Sequence, residues 1–384
     1  MARPRDGDAV AALPDRGRPM TTAPRPSRLG NQLPSFYCPL ERDLLHPEAK
    51  QVEARAVEWV DAFGLYPDAV ERAWGLATHS ADFTCRIIPE GEVEALLLFA
   101  EWNYWANAVD DWQDSGSEEV GTGAVVEHGV RLLRTIENPG ASVLPDGPMT
   151  RALVDLVGRT HAMLSPFELR RFVEGTRDWL LGAAWRAAQA GTGAMPGLND
   201  FASMGPLANG TRFSLTWSDV ARGDRLPADV LYSPALTVLT DAAGFVVSAD
   251  NDLFSYDKDD HLEPREVNLV NVLAAREGCS PAEAVPLAVA LRDRVMVLFT
   301  TLRARLSQDG GPELRRHLAA LGHYVAGCIA WQSRAPRYAS PRNRYELPLR
   351  DAGFDLRYAD APSAPGTEPP DVPALASWWQ WVRD

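Results

Sequence analysis

Eight stretches of this chain carry apolar residues at helical spacing and none alternates them as a strand would, which constrains the fold more than any other feature. They run over 52–63, 92–109, 125–136, 150–164, 168–188, 228–257, 282–306 and 312–331, with Pro, Gly and Asp between them as stop signals. Val and Ile occur without the period of two that a half-buried sheet requires, and strand–helix–strand order is absent. The pattern predicts an all-α bundle of about ten or more helices in one domain. Hydrophobic residues at 46% and twelve tryptophans are enough for a large core. The Gly- and Ala-rich stretch 188–196 reads as a loop between two helices.

Composition removes several functions. A net charge of −14 disfavours nucleic acid, whose phosphate backbone needs a basic face. Four cysteines (Cys38, Cys85, Cys279, Cys328) stand far apart with no CxxC, which argues against a zinc site and a disulfide scaffold. Seven histidines form no HxxxH or HExxH pair. No apolar run reaches the roughly 18 residues of a membrane span. Arg3 and Arg5 precede no apolar core, so no secretory signal is read. Residues 1–33, rich in Arg, Pro, Gly and Ala, are expected to be a disordered extension. A cytoplasmic, reducing setting follows, with a monomer or homodimer as the expected state.

Two acidic elements carry the chemistry. Read as a helix, Asn251, Ser255 and Asp259 fall at i, i+4 and i+8 on one face, an all-oxygen array of the kind a hard divalent cation accepts. Lys258 lies beside it, where an ammonium can hold a phosphate bridged to the ion. Asp110 and Asp114 are likewise i, i+4 at the end of the 92–109 helix, with Asp111 one step round. Stacked carboxylates repel, and a nearby cation is the simplest compensation. The alternative for DDxxD alone is a solvated helix end. An acidic chain with these motifs binds cations, and through them an anion.

DDxxD followed far downstream by NDxxSxxKD resembles the class I terpene synthases of the microbial type. The run Gly327-Cys-Ile-Ala-Trp331-Gln-Ser-Arg-Ala-Pro-Arg337-Tyr338 is similar to the family's closing G-x3-W…RY segment. Residues 34–39, the Trp59 helix, 85–89 and Asn268-Leu269-Val270 also match in order and place, so the likeness covers about 34–345. It implies a helical bundle around a central apolar cavity, with a C-terminal segment over 346–384 read as loop plus a short Trp-rich helix. It implies three Mg2+ ions held by Asp110, Asp111, Asp114, Asn251, Ser255 and Asp259. A substrate prenyl diphosphate would be gripped by Lys258, Arg337 and Tyr338, with Trp331 lining the pocket against a carbocation. Farnesyl diphosphate is the expected substrate, cyclised to a hydrocarbon or alcohol.

The chain departs from the family at two points that matter. The third triad position, normally Glu, is Asp259. Where the family carries an arginine that senses diphosphate, Gly205 stands; Arg212 lies seven residues on, across a helix break expected at Pro206 and Asn209-Gly210. The loss of this clamp leaves a weakly active or non-catalytic diphosphate binder as the alternative. A chain-elongating prenyltransferase would need a second DDxxD. A literal DxDD at 257–260 overlaps the triad, and the domains that would use it for protonation are absent. Trp102 and Trp105 read as core or as pocket wall. Asn107, where such enzymes often place an aromatic, either steers water or the chain, or is hydrogen-bonded.

Overall fold

The computed structural model describes residues 33–115, 121–141, 143–190, 192–259, 267–339 and 354–382. After a two-residue strand β1 (Phe36–Tyr37) come α1 (Ala49–Phe63), α2 (Ala69–Leu76), α3 (Ser80–Ile87) and α4 (Val93–Ser115). Then follow α5 (Thr122–Glu137), α6 (Pro148–Met163), α7 (Pro166–Ala190), α8 (Leu198–Met204) and α9 (Thr211–Arg222). The chain continues through α10 (Ala228–Leu231), α11 (Pro234–Asp259), α12 (Leu269–Glu277), α13 (Pro281–Asp309), α14 (Pro312–Gln332) and α15 (Pro336–Ala339). Strand β2 (Tyr358–Ala359), α16 (Pro373–Ala376) and the 3-10 turn Ser377–Trp381, which carries the three tryptophans of the expected Trp-rich helix, complete it. The all-α expectation holds; the sole sheet among the described residues is β1 and β2 in parallel.

Local chemistry sets the boundaries. Asp68 caps α2, its carboxylate accepting from the Val70 and Glu71 amides at 2.8 and 2.9 Å. Ser280 and Glu283 form a capping box at α13, with Pro281 at its first turn. Pro148 and Pro312 open α6 and α14 in the same way. The predicted helix over 228–257 is two: α10 stops at Leu231, and Pro234, unable to continue a helix, starts α11. Helix α7 runs on to Ala190, two residues past its predicted end and into the stretch read as a loop.

Packing closes a ring. Helix α4 lies on α3, α3 on α14, α14 on α11, α11 on α9, and α9 back on α4. Helices α1 and α6 cover the outer side of α4, while α12 and α13 back α11. Gly327 makes one of these contacts possible. A Cβ there would stand 2.7 Å from the Arg86 carbonyl oxygen, so only glycine lets α14 approach the α3 backbone this closely.

Behind α11 sits a charged core. Arg292 on α13 is fully buried and donates to both carboxylate oxygens of Asp250 at 2.7 and 3.1 Å, and to Asp293 at 3.0 Å. It also donates to the Tyr37 carbonyl of β1. Asp293 accepts from the Ser363 amide at 2.8 Å, and Phe36 stacks on Phe254 of α11 at 5.0 Å. One guanidinium thus joins both ends of the described chain to the helix that carries the Asn/Ser motif. Residues 1–32, 346–353 and 383–384 of the expected terminal segments lie outside the described residues, and 354–382 packs on α8, α11, α12 and α13.

Candidate active site

Helix α4 delivers Asp110 and Asp111 half-buried at its C-terminal end. Asp111 takes a two-pronged pair from Arg337, at 2.5 and 3.3 Å. Both partners are mostly buried, at 15% and 8% exposure, so the pair is shielded from water and stronger than a surface bridge. Arg337 is fixed in turn: its amide donates to the Ala77 carbonyl at 3.3 Å, and its guanidinium lies 5.3 Å from the Trp74 ring centre.

The next residue in sequence reaches the other motif. The Tyr338 hydroxyl accepts from Nδ2 of Asn251 at 2.9 Å. That contact leaves the Asn251 Oδ1 open to a ligand, and an amide oxygen is a donor a hard cation accepts. Ser255 follows one turn on, buried on the same face of α11. Asp252, one step round, serves the fold instead, its carboxylate accepting from the Leu269 amide at 2.8 Å and capping α12. Asp114, Lys258 and Asp259 fall within α4 and α11, but their side chains lie outside the described residues. Among the described residues no three His, Cys, Asp or Glu gather into a metal site. The donors that are described (Asp110, Asp111, Asn251, Ser255) are all oxygen, which fits Mg2+ and not a soft metal.

Trp331 lies against this junction. Its ring meets Tyr338 edge-on at 5.4 Å and Phe83 at 4.9 Å, and its indole N–H donates to the Thr78 carbonyl at 2.7 Å. Trp102 and Trp105 belong to the core instead: both are buried, and they donate to Thr160 Oγ1 and the Met149 carbonyl at 2.8 and 3.0 Å. Two neighbours of Arg337 carried no sequence signal. Trp74 sits in no motif. The Tyr66 hydroxyl is buried without a hydrogen-bond partner among the described residues; burial, aided by the nearby Asp111 charge, pushes its pKa up.

Gly205 opens the 3-10 turn Gly205–Asn209 directly after α8, and a Cβ there would meet the Phe201 ring at 3.2 Å. Arg212 is turned elsewhere. It pairs with Asp241 at 2.7 Å and Asp178 at 3.4 Å, with roughly a third of each side chain exposed. Asp241 precedes Asn251 by ten residues on α11, about 15 Å along the axis. As the chain is folded here, Arg212 does not stand in for the missing clamp.

An all-α ring that brings a DDxxD helix and an NDxxS helix together through an Arg-Tyr pair defines the class of the protein. A family model described as terpene synthase family 2, C-terminal metal binding, matches residues 101–297. Bonnadiene synthase of Allokutzneria albata is 31% identical over 353 residues, 90% of this chain and 97% of that one. The (+)-T-muurolol synthase of Streptomyces clavuligerus, described as cyclising (2E,6E)-farnesyl diphosphate, is 28% identical over 349 residues, 90% and 81% of the two chains. The crystal structure of SVS_A2, a protein from ancestral sequence reconstruction, superposes with a TM-score of 0.80 at 34% identity over 91% of this chain and 99% of that one. The chain belongs to the terpene synthase family, as a class I enzyme of the microbial type.

Proposed function

We propose that this terpene synthase is a Mg2+-dependent cyclase of an acyclic prenyl diphosphate, farnesyl diphosphate first among candidates. Residues 34–345 form the cyclase unit and 346–384 a C-terminal segment, of which the described part, 354–382, packs on it. The carrying observation is that consecutive residues Arg337 and Tyr338 contact Asp111 and Asn251, so that both acidic motifs face one place. The farnesyl assignment is supported by the description of the T-muurolol relative.

In this reading Asp110, Asp111 and Asp114 on α4, with Asn251, Ser255 and Asp259 on α11, supply oxygen ligands to three Mg2+ ions. The ions, when bound, neutralise the diphosphate and act as Lewis acids on the leaving oxygen. Lys258 holds a phosphate oxygen. Arg337 exchanges its carboxylate partner for diphosphate oxygens, which its planar fork fits equally well. Tyr338 adds a hydroxyl to the same group. Closing these side chains over the diphosphate excludes water from the allylic cation. Trp331 and Phe83, in contact at 4.9 Å beside Tyr338, would offer their rings to a desolvated cation, which gains roughly 1–2 kcal/mol from each. The cascade ends by loss of a proton or capture of water.

Incubation with C10, C15 and C20 prenyl diphosphates and Mg2+, with products identified by mass spectrometry, tests the proposal. A cyclic terpene from the C15 substrate is expected. Cyclic product from the C20 substrate alone would replace the farnesyl assignment, and absence of any terpene product would remove the cyclase.

A further inference from the structure

Helix α4 is buried from Leu96 to Val109 except at Asn103 and 106–108. It packs against α1, α6, α3, α9 and, more lightly, α2, and the row that holds Asn103 and Asn107 stays less covered than the rest of the helix. Asn103, Asn107 and Asp111 follow one another at intervals of four on a single face, about 6 Å apart along the axis. Phe99 begins the same row below them, fully buried.

The two amides are locked by a hydrogen-bond chain whose direction is fixed. Thr78 Oγ1 donates its only hydrogen to the Gly75 carbonyl at 2.7 Å. In its 2.9 Å contact with Ser80, the serine is therefore the donor. Ser80, its hydrogen spent, accepts from Asn107 Nδ2 at 3.3 Å, and the other hydrogen of that amide goes to the Asn103 carbonyl at 2.9 Å. Asn103 repeats the pattern, with Nδ2 donating to the Phe99 carbonyl at 2.9 Å and to Thr84 Oγ1 at 3.2 Å. Flipping either amide would set oxygen against a backbone carbonyl oxygen, so both nitrogens face α3 and the preceding turn. The two Oδ1 atoms point the other way. Neither accepts from any described residue, and neither is among the buried side-chain oxygens that lack a partner, so both retain accessible surface.

We infer that Asn103 and Asn107 are specificity-determining residues of the cyclisation, presenting two fixed amide oxygens that stabilise positive charge on the reacting chain. The inference rests on the function proposed above. An amide dipole of about 3.5 D, negative end inward in a low-dielectric interior, attracts a carbocation without reorganising. Set one and two turns from Asp111, the oxygens lie along the path from the diphosphate end toward Phe99. They favour intermediates whose charge rests beside them and thereby choose among ring closures. No bond is made to either residue. Ionisation happens at the other end of the row, so its rate depends little on them.

The test is Asn107→Leu, Asn103→Leu and the double variant, each assayed with farnesyl diphosphate and Mg2+ for diphosphate release and product distribution. In Asn107→Leu the ratio of the wild-type principal product to other terpenes should fall by about tenfold, equivalent to about 1.4 kcal/mol between competing transition states. Diphosphate release should stay within about threefold. Losing Asn107 leaves the Ser80 hydroxyl without its donor, so Asn107→Leu is also made on Ser80→Ala, which removes both partners of that bond. An unchanged product distribution from the double variant with normal diphosphate release overturns the inference and leaves the cyclase standing. No diphosphate release from the wild-type protein overturns both.

Discussion

Asn251 is held by one hydrogen bond, from Nδ2 to the Tyr338 hydroxyl at 2.9 Å, and is half-exposed. Truncating it costs the fold about 1 kcal/mol, the net worth of such a bond. Its loss as a proposed Mg2+ ligand should cost catalysis far more. Asn251→Ala should lower kcat/KM by about 100-fold or more while the urea midpoint moves slightly; full activity would remove Asn251 from the metal site. Gly205 invites the reverse experiment. The ring of Phe201, 1% exposed, lies 3.2 Å from where a Cβ would stand, so Gly205→Arg must displace a packed aromatic at about 1–3 kcal/mol. The variant should melt lower with no gain in kcat. A rise in kcat would show that Phe201 yields and that the missing guanidinium limits ionisation. Arg212→Ala, which breaks only part-exposed pairs with Asp178 and Asp241, should leave diphosphate release unchanged.

Among the elements, α4 is used on two sides. Away from the ring it carries Glu101, 2% exposed, paired with Arg159 of α6 at 2.6 Å. Burial outweighs Arg159 and raises its pKa from the ordinary 4.5 to about 7. A carboxyl raised on folding contributes stability that is full below about 4.5 and lost as pH rises through about 7, here roughly 3 kcal/mol. Glu101→Gln removes that titration, so its stability relative to wild type should grow between pH 5 and 8 in urea melts; a constant difference would mean that Glu101 ionises normally. The long helices were legible because one face meets the core and the period survives. Helix α9 was not: Ser214, Thr216, Ser218 and Asp219 are buried alongside Phe213 and Trp217, so apolar spacing says nothing about it. Short α2 and α3 were missed because eight residues hold too few periods. Of the site, the Asp and Asn/Ser motifs could be read because their oxygens repeat at i+4, and Trp331, Arg337 and Tyr338 because they match the family's closing segment. Trp74, Asn103 and the Ser80–Thr78 chain could not, since their roles arise from contacts between elements.

At the scale of the whole molecule, the site is a meeting of parts distant in sequence. Arg337 and Tyr338 follow α14, which can lie against α3 because Gly327 has no side chain. Asn251 sits on α11, which Arg292 ties through Asp250 and Asp293 to both β1 and the C-terminal segment. Burying one arginine between two carboxylates does not by itself stabilise a fold, but it fixes register, and the residue after Asp250 is Asn251. The central claim, that these parts assemble around Mg2+ and a prenyl diphosphate, is most directly tested by the metal dependence of turnover. Diphosphate release from farnesyl diphosphate is measured on protein stripped with chelator and then titrated with Mg2+. The account predicts no release from stripped protein, restoration by Mg2+ with cyclic product, and no restoration in Asn251→Ala; release that continues undiminished without divalent metal would contradict it.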